Sequence, residues 1–334
     1  MDITQVEESN LVPQSAKLPR LLVSGMLHLD AFVLARPPYR FSVHLYLLLT
    51  SIPSFPSGLQ DLDGTLLCND GTVSPRNTAA LRLAQDHGIE VMLASGRSPR
   101  SIHKVISMLG GVIPDMTICC NGGMVYNPRG RRVVMRNEMS IEDARTCIEV
   151  VRGAISGVGF AFEVATEDGT SFKCDEVYLK VRREYMYYDY QLFEDPIHML
   201  NGEEGVTKIL ALHPSLNSTE LFARVPVELV NQDVSPVIVT YSNSFQLEIS
   251  GRDVSKGSIL AQYCEERGIA AEEVIAFGDM LNDIEMMRWV GTAIAMGNAH
   301  EEILGLAQRT TLSNEKDGVA IEIEKILEAA SLSS

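Results

Sequence analysis

The run Asp61-Leu62-Asp63-Gly64-Thr65 places two carboxylates one residue apart, beside a glycine that lets the chain bend so both can turn toward one site. In such a pair one carboxylate can attack an electrophile such as phosphorus while the other protonates the leaving oxygen and later activates water. Asp61 is the candidate nucleophile and Asp63 the candidate acid and base. Taken alone, an acidic pair next to glycine is more often a surface turn. Ser95-Gly96-Arg97 offers a hydroxyl and successive backbone N–H groups just ahead of an expected helix, which suits phosphate oxygens as well as it suits an ordinary cap. Lys256 falls in the first turn of a helix opened by Ser255, where a cation opposes the helix dipole by about 0.3 to 1 kcal/mol. A bound phosphate would reverse that sign; a solvated lysine would merely be screened. In Gly278-Asp279-Met280-Leu281-Asn282-Asp283 the two aspartates are four apart, expected on one side of a helix start, where they either complete an oxygen-ligand site for magnesium or form an acidic first turn.

The elements that must hold these stretches follow a regular rhythm from residue 61 onward. Ser74-Pro75 opens a helix that stops at Gly88; Ile89 to Ala94 is a short apolar run ending at Ser95; a second helix runs from Pro99 to about Leu109; and Thr117 to Cys120 leads into Asn121-Gly122-Gly123. The rhythm returns with a helix from Ser255 to Arg267, a strand Val274 to Phe277, a helix from Asn282 to about Val290 and a strand Thr292 to Met296. A further helix follows Asn298, then a short strand Thr310 to Leu312 and a last helix near Val319 to Ala329. Strand, loop, helix repeated in this way predicts an α/β fold with a doubly wound parallel sheet, and open sheets of that kind place ligands at their strand ends. Between the halves the pattern changes: Val206 to Leu212 and Val237 to Ile249 alternate, as in an antiparallel sheet with helices on one face. The expected organisation is a core of residues 58–123 and 249–334, an inserted α+β domain at 124–248, and an atypical amino-terminal extension at 1–57.

A chain of 334 residues, 46% hydrophobic, can bury a core in each of two domains. Its formal charge of -16 argues against a nucleic-acid backbone or an anionic membrane as partner. A small anionic substrate would then need a divalent cation and a few aimed Lys or Arg side chains. Cys68, Cys119, Cys120, Cys147, Cys174 and Cys264 form no CxxC pair and no zinc spacing with the histidines, and read as reduced, mostly buried thiols. No apolar run approaches the roughly 18 residues of a membrane span, and Met1 to Asn10 is acidic, the wrong sign for a signal or transit peptide. A cytoplasmic location is the expectation.

With these motifs in order, the chain resembles the Cof-type branch of the haloacid dehalogenase superfamily. The resemblance rests on the DxDGT run at Asp61, the SGR run at Ser95, Lys256 and the GDxxND run at Gly278. It extends to Asn121-Gly122-Gly123, Ala295-Met296-Gly297-Asn298-Ala299, and Thr311, Asn314 and Asp317-Gly318. It implies a Rossmann-like core with an inserted cap, and a magnesium-dependent phosphatase that acts on a small phosphorylated metabolite through an aspartyl phosphate on Asp61. By that resemblance Asp61, the Asp63 carbonyl and Asp279 hold Mg2+, with Asp283 completing or steering the shell. Ser95, Gly96, Lys256 and Asn282 take the phosphoryl group, and Arg97 and Asn121 border the substrate or cap. The inserted domain would act as a lid that excludes water and selects the leaving group.

One departure stands out. The approach to Asp61, Ser54-Phe55-Pro56-Ser57-Gly58-Leu59-Gln60, is a poor central strand, and Leu45 to Leu49 is strand-like but ends too far upstream to present Asp61 without a change of register. The crowding of Phe, Ser, Leu and Pro over residues 41 to 59 fits pyrimidine-rich codons, and Leu59-Gln60 can be written TTG-CAG. A retained intron and a lineage-specific extension both account for that. Two other functions stay open: a phosphotransferase or mutase using the same aspartate, and a non-catalytic binding protein with a defective first strand.

Overall fold

A computed structural model describes residues 21–22, 43–48 and 64–332, apart from 187, 201–204, 232 and 242–243; Asp61 and Asp63 lie outside the described residues. Strands buried on both faces need cover on both, and that requirement organises the main sheet. Its first strands are Leu21–Leu22 (β1), Val43–Leu48 (β2), Ile89–Ala94 (β3), Met116–Cys119 (β4), Met124–Asn127 (β5) and Arg132–Arg136 (β6). A second sheet follows from Gly159–Val164 (β7), Phe172–Cys174 (β8), Gln191–Leu192 (β9), Val206–Leu212 (β10), Val237–Thr240 (β11) and Gln246–Gly251 (β12). The chain then returns to the main sheet with Ile275–Gly278 (β13), Thr292–Ala295 (β14) and Arg309–Thr310 (β15). The main sheet runs β15-β14-β13-β2-β3-β4-β5-β6, parallel as far as β4 and antiparallel beyond it.

The helices around it start and stop for local reasons. Helix Pro75–Asp86 opens on Ser74, whose Oγ accepts from the Asn77 N–H, with proline at its first position, and it ends before Gly88 at φ +78. It packs on β3 and on the terminal helix Gly318–Leu332, while helix Lys256–Glu265 packs on β4 and on helix Ile284–Trp289. Val91, Leu93, Ile118, Phe277 and Ile294 are completely buried between these layers.

The slot between β3 and β13 belongs to β2. Leu48 pairs with Ala94 on one side and Leu47 with Phe277 on the other. This run stops short of Asp61 in sequence, yet the ladder takes it because it is an apolar run free of proline and glycine, able to pair on both edges. The other strands that lead into predicted site residues reach them at once: Ala94 precedes Ser95, Gly278 precedes Asp279, and Cys119 stands two positions before Asn121. Residues 49 to 60 separate β2 from Asp61. β1 pairs parallel on β2 at His44 and Leu45, on the edge whose next two residues, Tyr46 and Leu47, pair with β13.

The second sheet, β11-β12-β10-β7-β8-β9, is antiparallel except for its last pair. Phe160, Phe162, Ile209, Ala211, Leu247 and Ile249 form its apolar face against helix Ile141–Ala154. The alternating sequence of β10 predicts one wet face, yet every residue of the strand is buried, because the opposite face is covered too. A bulge at Thr207 breaks the β7–β10 register between Val206 and Lys208. Alternation puts Lys208 on one face with Leu210 and Leu212, and the extra residue moves Val206 to the apolar face with Ile209.

Deleting residues 25–60 would join Leu21-Leu22-Val23-Ser24 straight to Asp61, giving that strand the immediate step to its motif that β3 and β13 have. The shortened chain is expected to melt about 5 °C or more above the full chain in calorimetry. A lower melting temperature would show that Val43–Leu48 is the strand this sheet needs.

Candidate active site

β13 ends at Gly278 and delivers Asp279, which has no solvent exposure. The Thr65 hydroxyl donates to Asp279 Oδ1 at 2.6 Å. Gly64 sits at φ +117, and a Cβ there would lie 2.0 Å from Asp279 Oδ2, so glycine is required both by the backbone and by the carboxylate pressed on it. Two asparagines fix this segment from the far end of the chain. Asn298 Nδ2 donates to the Gly64 carbonyl at 2.8 Å, and Asn314 Nδ2 donates to the Leu67 carbonyl at 2.8 Å. Asn298 Oδ1 accepts from the Asn314 N–H at 3.0 Å, which ties the two together.

Asp283 does not share a helix face with Asp279 as their spacing suggests. Leu281–Asp283 is a 3-10 turn, and the α-helix starts only at Ile284. The turn aims the Asp283 carboxylate back at its own loop: Oδ2 accepts from the Asp279 and Met280 N–H groups, each at 3.1 Å, capping amides that the strand no longer pairs. Oδ1 accepts from Lys256 Nζ at 2.9 Å, and both side chains of this ion pair are at 0% exposure. Lys256 gets there because its helix is held at its start and lies close to its neighbour. Ser255 Oγ accepts from the Ser258 N–H and Ser258 Oγ from the Ser255 N–H, both at 3.0 Å. A Cβ on Gly257 would meet the Glu285 and Met286 backbone at 2.7 Å.

The turn after β4 joins these parts. Cys120 and Asn121 both adopt φ 55, a left-handed conformation that asparagine tolerates and cysteine rarely takes, and Gly122 follows at φ 106. The Asn121 N–H donates to the Ser95 carbonyl at 3.0 Å and the Cys120 N–H to the Arg97 carbonyl at 2.9 Å. Ser95 Oγ accepts from the Arg97 N–H at 3.1 Å. Asn121 Oδ1 accepts from Asn282 Nδ2 at 3.2 Å, and Asn121 Nδ2 donates to Glu248 Oε2 at 3.1 Å. A Cβ on Gly122 would lie 2.1 Å from the Ser255 carbonyl, so the turn also rests on the start of the Lys256 helix.

Ser95, Gly96, Arg97, Asn121, Lys256, Asp279, Asn282 and Asp283 therefore lie in one connected cluster at the carboxyl ends of β3, β4 and β13. All six cysteines are free thiols. Burial pushes the Cys120 thiol up to about 12 and the Cys119 thiol well above its usual range, so neither offers a nucleophilic thiolate beside Asn121. Among the described residues no group of three His, Cys, Asp or Glu side chains could hold a metal. Of the two expected carboxylates among the described residues, Asp279 presents a buried oxygen against the Gly64 backbone, a hard donor of the kind magnesium takes. It fits a divalent cation. Thr65, Asn298, Asn314, Lys208 and Glu248 received no role from the sequence. The signal available for Lys208 was a charge set inside a largely apolar strand, and for Glu248 a charge flanked by Leu247 and Ile249.

Comparison with known proteins agrees with this arrangement. Residues 59–323 match the haloacid dehalogenase-like hydrolase family. The phosphatase YwpJ of Bacillus subtilis (strain 168) is 27% identical over 292 residues, which cover 80% of this chain and 98% of that protein. The pyridoxal phosphate phosphatase YbhA of Escherichia coli (strain K12) is 27% identical over 266 residues, 78% of this chain and 94% of its own. A haloacid dehalogenase-like hydrolase from Bacteroides thetaiotaomicron superposes with a TM-score of 0.64 at 25% identity, covering 85% of this chain and 99% of that one.

Replacing Asp283 by alanine would leave the Lys256 ammonium buried without its carboxylate and two amides without their acceptor. The Asp283→Ala chain is expected to lose about 3 to 5 kcal/mol in urea unfolding. A loss below about 1 kcal/mol would place that ion pair among those that contribute little.

Proposed function

The chain belongs to the haloacid dehalogenase-like hydrolases, and from that premise we propose that it is a magnesium-dependent phosphatase that hydrolyses a small phosphomonoester through an aspartyl phosphate on Asp61. The observation that carries this reading is the seat of Asp279. Its carboxylate presses on Gly64 and bonds Thr65, directly after the Asp61-Leu62-Asp63 run and within the loop that Asp283 ties to Lys256. A bound Mg2+, held by Asp61, the Asp63 carbonyl and Asp279, would offset the repulsion between carboxylates and a phosphate dianion.

The remaining work falls to the chain's own groups. Asp61 forms a bond to phosphorus as the ester P–O bond breaks, and Asp63 donates its proton to the departing alkoxide. Water then attacks the same phosphorus, Asp63 takes the proton, and inorganic phosphate leaves with the Asp61 carboxylate restored. Ser95 and Lys256 are placed to receive the phosphoryl oxygens, and the Asn282 amide, with its Oδ1 buried and lacking a hydrogen-bond partner among the described residues, borders the same space. Asp283 steers rather than ligates in this scheme, since both of its oxygens already accept from Lys256 or backbone amides.

The purified chain is expected to release inorganic phosphate from a panel of phosphomonoesters that includes pyridoxal phosphate, to stop when EDTA is added, and to recover with excess Mg2+. Asp61→Asn, which keeps shape and removes the attacking anion, is expected to lower turnover at least a thousandfold, within the range for losing a nucleophile. Retention of a tenth of the activity in that variant, or transfer of the phosphoryl group to added sugars in place of release, would refute the hydrolytic scheme.

A further inference from the structure

The second sheet presents three charged side chains to the core, Glu163, Lys208 and Glu248, all at 5% exposure or less. Charges in such a place are retained only when paired and bonded, so each identifies a contact that the fold depends on. Glu163 pairs with Arg100 of the core helix Pro99–Met108: Arg100 Nη2 donates to Glu163 Oε1 at 2.6 Å, and the guanidinium lies 4.4 Å from the ring centroids of Phe172 and Tyr188. That contact fastens the two sheets together from the helix that follows the Ser95 loop; it bonds neither that loop nor the Asn121 turn directly.

The other two charges reach those loops. Lys208 Nζ donates to Glu248 Oε2 at 2.8 Å and to the carbonyl of Gly96 at 2.6 Å. Glu248 Oε2 also accepts from Asn121 Nδ2, and Asn121 in turn accepts from Asn282. A continuous chain of hydrogen bonds thus runs from Gly96 through Lys208, Glu248 and Asn121 to Asn282, crossing from core to second sheet and back. Alternation along the regular part of the strand puts Lys208 on the face of Leu210 and Leu212, away from the sheet's own helices, and the bulge at Thr207 lets Val206 keep to the opposite, apolar face. Thr207 also closes the approach, since a Cβ on Gly123 would lie 2.7 Å from the Thr207 Cβ.

We infer that Lys208 and Glu248 are positioning residues for the phosphate site. They hold the Ser95-Gly96-Arg97 loop and the Asn121 amide in place only when the inserted sheet is seated on the core. This rests on the phosphatase reading above and adds that closure of the inserted unit completes the phosphate-binding loop. Burial disfavours the Lys208 ammonium, but Glu248 beside it outweighs that and keeps its pKa above the ordinary lysine value, so the link stays charged throughout the neutral range. By linkage, the Lys208–Glu248 contact and a bound phosphate strengthen one another.

The test compares Lys208→Met and Glu248→Gln with Glu163→Gln in the full chain with Mg2+, reading melting temperature, the inhibition constant of inorganic phosphate, and KM and kcat separately. Glu163→Gln breaks a buried pair across the same seam that has no hydrogen bond to Gly96 or Asn121, so it reports what loosening the seam alone costs. Lys208→Met and Glu248→Gln are expected to raise the phosphate inhibition constant and KM at least tenfold, against less than threefold for Glu163→Gln at a similar loss of melting temperature. Equal effects in all three variants would overturn the inference, as would unchanged phosphate affinity in Lys208→Met beside an active parent. A parent chain that neither binds phosphate nor hydrolyses an ester would remove the phosphatase reading and this inference with it.

Discussion

The ammonium of Lys256 and the carboxylate of Asp283 meet in a place from which water is excluded, and much of the site is built to make that pairing possible. Two charges taken out of water repay their desolvation only with good geometry and further hydrogen bonds. Asp283 obtains both, accepting from Lys256 and from the Asp279 and Met280 amides. The 3-10 turn at Leu281–Asp283 turns the carboxylate inward, and Gly257 lets the two helices approach closely enough for the ammonium to arrive. A consequence follows for Asp279: with its own N–H bound to Asp283, its carboxylate is carried to the other side of the loop, toward Thr65 and Gly64. One ion pair thereby sets the position of the carboxylate best placed to meet a cation.

Around that pair the left-handed turn at Cys120–Gly123 acts as a common bearing surface. It touches the Ser95 loop through backbone bonds, the Lys256 helix through Gly122, the Asn282 amide and the inserted sheet through Asn121, and Thr207 through Gly123. Such contacts leave no room for side chains at 122 and 123. Positive φ at Cys120 and Asn121 costs on the order of 1 to 3 kcal/mol, and the surrounding contacts hold it in place. Strain of this kind is found where loops from several strands must converge on one small volume.

Much of this was legible in the residues. Ser74-Pro75, Ser255 and Gly88 mark helix ends by chemistry that acts within a few positions, and short apolar runs such as Ile89 to Ala94, ending at turn residues, suit strands covered on both faces. The GDxxND run, Ser95 and Asn121 fall where strands end and Lys256 where a helix starts, and the structure brings those residues together. What escaped the sequence depended on longer range. The spacing of Asp279 and Asp283 suggests a helix face, but a turn of a different pitch lies between them, set by the need to cap loop amides. Lys208 and Glu248 look like solvated charges on alternating strands until the second covered face is known. Val43–Leu48 is too far from Asp61 in sequence to be chosen for the central slot, and only the competition of β-ladders on both edges selects it.

The account as a whole turns on whether Asp61 carries the phosphoryl group. Mixing the Mg2+-loaded chain with 32P-labelled acetyl phosphate, quenching in acid within milliseconds and mapping the labelled peptide tests this directly, since acyl phosphates survive acid and are cleaved by hydroxylamine. The expected result is a hydroxylamine-sensitive label on the peptide containing Asp61, absent in Asp61→Asn. Label on another residue, or steady release of phosphate with no trapped label under any quench time, would contradict it.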